Sequence, residues 1–354
     1  MLSQPTLIIS RKKVETNIGR MLGKIVASQT IFRPHFKTHQ SVEVGNIFRK
    51  KGIVKITVSS VSMAEFFAAA GWKDITIAFP ANLREINEIN SLAGKIQLNL
   101  LVESVFSAQF LSEKLKNRVG VFIKIDTGYH RTGLLPENIE EIDKIIAIFS
   151  KAKNIDFKGF LTHAGHTYSA KGKAETLSIM KTAKDKLNEL KRQYIQTFPE
   201  IIISYGDTPS CSLADNFDGF DEIRPGNFAY YDVMQYHIGS CSLNEIAVAV
   251  VCPVVAVHPE RNELVIYGGS VHFSKELIAA DNGFNLFGYV VKLEKNAWSE
   301  PIAGAYVSAL SQEHGIVKMP SPVINQTKPG DIIGILPIHS CLTADCLKEN
   351  QVIV

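Results

Sequence analysis

Lys37 lies between two imidazoles in the stretch RPHFKTHQS, residues 33–41. On an extended chain alternate side chains share a side, so the spacing predicts His35, Lys37 and His39 facing one way. An amine held in that company is a nucleophile for a carbonyl carbon. Further reactive types cluster in four short stretches. DTGYHRTG (126–133) carries Arg131, and THAGHTY (162–168) carries His163, His166 and Tyr168. SYGDTPS (204–210) carries Gly206, Thr208 and Ser210, and RPGN (224–227) carries Arg224, Gly226 and Asn227. Glycines let a backbone approach a phosphate, and the Thr208, Ser210 and Asn227 side chains add polar donors. Far downstream, PIHSC places His339 and Cys341 at i and i+2. In an extended segment both point the same way, an imidazole and a thiolate suited to zinc.

These residues must be positioned by elements, and the chain supplies a regular series of them. Short apolar, β-branched runs alternate with amphipathic helical stretches: IFRPHFK (31–37), VKITVSS (54–60), DITIAFP (74–80), QLNLLVE (97–103), RVGVFIKID (118–126), FKGFLTHAG (157–165), EIIISYG (200–206) and EIRPGNFAYYD (222–232). Eight such units predict an α/β fold, a (β/α)8 barrel of TIM type. No GxGxxG turn follows the first run, so an open doubly wound sheet fits less well. In such barrels the site lies at the C-terminal ends of the strands, where Lys37, Arg131, His163, Gly206 and Gly226 all fall. Past residue 240 helical periodicity fades and strand-like runs dominate, which predicts a β-rich second domain. The opening strand TLIIS has no place in the barrel count and is expected to join that domain. The boundaries are drawn at 11–240 for the barrel, and at 1–10 with 241–354 for the β-rich domain and its metal pair.

A phosphate site beside a lysine at one rim points to pyridoxal 5'-phosphate, whose aldehyde joins a lysine amine and whose ring accepts electrons from a carbanion. The bulk numbers agree with an enzyme of small molecules. In 354 residues, 45% are hydrophobic and 21% charged, and the net charge of +3 comes without a basic block. Nucleic acid is therefore not an expected partner. The start, MLSQPTLIISRKK, lacks a signal-peptide core, and no apolar run is long enough to span a membrane. Five cysteines without a CxxC pair predict a reducing, cytoplasmic setting.

The stretches RPHFKTH, DTGYHRTG, THAGHTY, EIRPGNFAYYD, SQEHG and PIHSC, in this order, resemble the D-serine dehydratase and D-threonine aldolase family of alanine-racemase-like pyridoxal-phosphate enzymes. The resemblance implies that Lys37 carries the cofactor and that SYGDTPS and RPGN hold its phosphate. It puts Arg131 by the ring, at the phenolic oxygen or the nitrogen. It also matches Arg224 to the arginine that lies near the ring nitrogen in racemases of the class. His163 and Tyr168 are expected beside cofactor or substrate, and His314 is expected as a neighbour of the metal or the cofactor. A divalent metal at His339 and Cys341 is implied to contact the substrate's β-hydroxyl, with zinc favoured by the thiolate over manganese or magnesium. Cys346 is expected to be structural.

The implied reaction is a lyase step on a D-3-hydroxy amino acid. D-serine dehydratase, which yields pyruvate and ammonia, ranks first. A D-threonine aldolase or related aldolase is the alternative, and an amino-acid racemase or a non-catalytic pyridoxal-phosphate-binding protein comes behind. No second-face tyrosine of a racemase is evident. A head-to-tail homodimer is expected from the resemblance.

Overall fold

The computed structural model describes residues 2–279 and 285–354. The chain divides into two compact units, one of Arg20–Lys37 with Val42–Gly226, the other of Met1–Gly19, Thr38–Ser41 and Asn227–Val354.

The first unit is built on an eight-stranded parallel sheet. Its strands in spatial order are Ile31–Phe32, Glu222–Ile223, Ile202–Tyr205, Ile155–Thr162, Val119–Lys124, Gln97–Val102, Asp74–Pro80 and Lys55–Val58. All the β-branched runs read from the sequence are present, several shorter than their apolar stretch. The end strands meet through a parallel bridge between His35 and Thr57, with Thr57 N–H donating to Pro34 O at 2.9 Å. That bridge closes the barrel. Strand Val119–Lys124 is buried at all six positions, as expected for a strand covered on both faces. Between strands the chain returns as helices, among them Val42–Lys50, Val61–Ala69, Val105–Lys114, Ile139–Phe149 and Lys173–Tyr194. Their starts are set by side-chain caps: Ser60 accepts from Met63 N and Ser104 from Ser107 N.

A chain of buried polar groups runs through this barrel. Arg33 Nε and Nη1 reach Glu222 at 2.6 Å and Asp74 at 2.5 Å. Ser204 Oγ donates to Glu222 at 2.6 Å and accepts from Arg224 Nε at 2.6 Å. Buried charges are tolerable only when paired in this way.

The second unit carries a mostly antiparallel eight-stranded sheet: Glu263–Tyr267, His314–Lys318, Ala297–Leu310, Gly288–Glu294, Ile332–Pro337, Val248–His258, Thr6–Ile9 and Gln351–Ile353. Glu263–Tyr267 also pairs with Val248–His258, so the sheet bends back on itself. Thr6–Ile9 lies antiparallel to Val248–Val251 and parallel to Gln351–Ile353. Among the described residues no helix is long and apolar enough to cross a membrane.

Candidate active site

Lys37 sits in a tight 3-10 turn, Phe36–Thr38, just past the first barrel strand. Phe36 anchors it, fully buried among Phe48, Phe67 and Trp72 with ring centroids 4.9–5.0 Å away. Gly45 gives that ring room, since a Cβ there would lie 3.2 Å from Phe36 Cε2. The turn overturns the expected alternation. His35 Nδ1 accepts from the Lys37 amide at 3.3 Å, whereas His39 is wholly buried and belongs to the other unit. Burial pushes His39 down to about 3, so it is a neutral core histidine. Lys37 itself is exposed.

The loop after the fifth strand winds around Asp126. Its Oδ1 accepts from the amides of Gly128, Tyr129 and His130 at 2.9–3.1 Å. Burial raises this carboxyl, but the Gly128 and His130 amides and the His130 ring bring it net below the usual range. The wound loop projects Tyr129, a residue that pattern reading passed over. Its ring meets His163 edge-on at 5.9 Å, stacks near His166 at 6.1 Å, and lies under the Arg131 guanidinium at 4.9 Å. Gly165 permits this, for a Cβ there would fall 2.3 Å from Tyr129 Cε1. Tyr129 thus gathers two of the sequence-predicted residues, Arg131 and His163. Tyr168 is half-buried in the turn Gly165–Ser169 after the sixth strand.

His163 Nδ1 lies 2.6 Å from Gly206 O, so Nδ1 carries the proton and Nε2 keeps its lone pair. Burial, with Lys37, Arg131 and Lys124 nearby, drives its pKa well below the ordinary value. Lys124, at the end of the fifth strand, also escaped the sequence reading. It is buried, and burial first, then the Arg224 charge, lowers it to about 7.

Arg224 is buried and held at two of its nitrogens: Nε on Ser204 Oγ, Nη2 on Thr162 O. Burial lowers it to about 10. Gly206 packs on the Arg224 backbone, where a Cβ would lie 2.8 Å from Arg224 O. Beside it, Asp207 caps the helix Thr208–Leu213, accepting from Ser210 N at 2.7 Å and Thr167 Oγ1 at 2.9 Å. Thr208 Oγ1 is buried without a hydrogen-bond partner among the described residues. An orphaned hydroxyl in a glycine-opened loop is what a phosphate would satisfy, so these residues fit the group they were assigned.

In the second unit His339 and Cys341 do come together, though not on an extended strand. His339 is extended and precedes the helix Ser340–Cys346, whose first turn carries Cys341. Burial lowers the His339 imidazole, but the Cys341 sulfur and the Glu276 carboxylate outweigh it and raise it to about 11. Glu276 Oε2 lies 3.0 Å from His339 Nδ1. The thiol is 3.3 Å from Thr38 Oγ1, the residue next after Lys37 in the chain. Asn227, itself part of this unit, donates to Asp232 at 2.6 Å, Ser340 Oγ at 3.1 Å and Cys341 Sγ at 3.4 Å. An imidazole, a thiol and a field that favours positive charge fit a divalent ion, although no cluster of three ligating side chains occurs among the described residues. His314 opens the strand His314–Lys318 and is exposed.

Two family models match the chain: "Alanine racemase, N-terminal domain" over residues 9–233 and "Putative serine dehydratase domain" over residues 247–353. A D-serine dehydratase of Dictyostelium discoideum is 28% identical, with 99% of this chain and 93% of that protein covered. The solved structure of D-threo-3-hydroxyaspartate dehydratase from Delftia sp. HT23 superposes with a TM-score of 0.89 at 26% identity, covering 98% and 93%. A cysteine-to-alanine variant of that enzyme, described as its metal-free form, superposes equally well at the same identity and coverage.

Proposed function

The chain belongs to the family of the alanine racemase N-terminal domain, and from that premise we propose that it is a D-serine dehydratase releasing pyruvate and ammonia. The broader class needs no proposal: full-length relatives named as D-amino-acid dehydratases make it a pyridoxal-phosphate-dependent lyase. When bound, the cofactor supplies an electron sink for a carbanion at the substrate's Cα. Lys37 is the amine that holds it and, once released, the base that takes the α-proton. The Gly206 loop and the Thr208 hydroxyl receive the phosphate. Arg224, locked between Ser204 and Thr162, presents a fixed cation to the ring. His163, neutral, with Nε2 as an acceptor, packs beside it. Tyr168 and Arg131 complete the binding surface.

The observation that carries the dehydratase reading is the imidazole–thiol pair of His339 and Cys341. Hydroxide is a poor leaving group, and a divalent ion held there would supply Lewis acidity toward it. The thiol favours zinc over the harder magnesium or manganese. Purified protein is to be incubated with D-serine, D-threonine and D-threo-3-hydroxyaspartate. Pyruvate and ammonia from D-serine as the best substrate support the reading. Glycine and acetaldehyde from D-threonine as the main products would replace it with an aldolase. Lys37→Ala should lose the borohydride-trapped cofactor and nearly all turnover, and an adduct persisting on another lysine would remove Lys37 from its role.

The same reading includes a homodimer. Phe79, Phe106 and Leu135 follow or end barrel strands on the C-terminal rim, and each is more than half exposed, at 57%, 73% and 51%. Apolar side chains on such a rim suit cover by a second copy.

A further inference from the structure

Glu276 lies 63 residues before His339 in sequence, in no motif, and its carboxylate meets the ring of His339. A carboxylate has only lone pairs to offer, so the proton of that 3.0 Å contact belongs to Nδ1. When an ion displaces the second ring proton, Nε2 is the nitrogen that offers its lone pair. The contact is built rather than incidental. Glu276 follows Ser274, a residue at φ 73° whose Oγ accepts the Glu276 amide at 3.2 Å. The same turn lies against the helix that begins after His339: Thr343 Oγ1, which donates to His339 O at 3.0 Å, is also 3.4 Å from Phe273 O. One face of His339 is therefore held by a carboxylate, and the Cys341 thiol lies on the helix turn that follows.

We infer that Glu276 is the positioning residue of the metal pair: by holding the proton at His339 Nδ1 it fixes the tautomer and aims Nε2 at an ion shared with Cys341. This rests on the metal reading above. A carboxylate behind a ligating imidazole makes the ring more basic and spares the ion the cost of ordering it, and losing such a partner typically costs about 10–100-fold in metal affinity. The Glu276 side chain is 42% exposed, so its replacement leaves no buried cavity.

The test is zinc affinity of the full chain freed of metal, measured by competition with a chromophoric chelator for wild type, Glu276→Gln and Glu276→Ala. Wild type is expected to bind one zinc per chain. Glu276→Ala is expected to bind about 10–100-fold more weakly, while the metal-free protein stays folded with its thermal midpoint lowered only by the loss of one partly exposed ion pair. Glu276→Gln, which keeps an acceptor oxygen but not the charge, should fall between them. Equal affinity in wild type and Glu276→Ala overturns the inference while leaving the metal site standing. If Glu276→Ala does not fold, a Glu276→Gln affinity equal to that of wild type overturns it instead. Wild type that binds no zinc at all overturns the metal reading, and the inference with it.

Discussion

Lys124 is an amine that folding makes uncomfortable. Its folded pKa is about 7 against 10.5 for an exposed lysine. Below pH 7 both states hold the proton, and the cost of the buried charge stands in full. Between about 7 and 10.5 the folded chain has shed it while the unfolded chain has not, so unfolding takes up a proton and stability rises with pH. The slope from this one group is at most about 1.4 kcal/mol per pH unit. Thermal melts of cofactor-free protein from pH 6.5 to 9 should show that rise, and Lys124→Met should flatten it. A rise that survives in the variant would put its origin elsewhere. Gly165 and Tyr129 make a coupled pair of another kind. Gly165→Ala must displace the Tyr129 ring, with an expected loss of about 1–3 kcal/mol from overpacking. In a Tyr129→Ala background the same change should cost little, and a double-mutant cycle of chemical melts measures the coupling.

The short helix Thr208–Leu213 depends on its cap. Asp207→Ala removes the acceptor for Ser210 N and Thr167 Oγ1, with an expected loss of about 1–2 kcal/mol. Cofactor affinity should fall with it, because the loop bearing Gly206 and Thr208 loses its brace. An unchanged melt and unchanged cofactor titration would dismiss Asp207 from that role. How much of such detail is legible in a sequence depends on range. The barrel strands were readable because β-branched runs such as KITV and VGVFIK announce themselves locally. The turn at Phe36 was not, because it is dictated by Phe48, Phe67 and Trp72, which are remote in sequence. The pairing of His339 with Cys341 was anticipated, but on the premise of an extended strand, and a helix start brings them together instead. Lys124 looked like one more polar strand end, and its burial follows from packing that no window of sequence contains. Tyr129 lies inside DTGYHRTG, yet its contacts with His163 and His166 come from a different loop.

For the protein in solution, the proposed dimer predicts that sedimentation at assay concentration gives twice the chain mass of 39.1 kDa. Replacing Phe79 and Phe106 with Ser should shift it toward monomer, and a fully active wild-type monomer would refute the dimer. The sheet of the second unit carries a consequence for how the chain is made. Thr6–Ile9 leaves the ribosome well ahead of both its neighbours, since Val248–Val251 and Gln351–Ile353 come hundreds of residues later. The barrel strands, from Ile31 to Ile223, emerge in between. An apolar strand with its Leu7 and Ile9 side chains destined for full burial must therefore wait unpaired through most of translation. Its edge is open to other chains for that whole interval. Slow or interrupted synthesis is thus the condition under which this protein should aggregate, and a nascent chain arrested before Val248 should bind chaperones through the unpaired strand Thr6–Ile9.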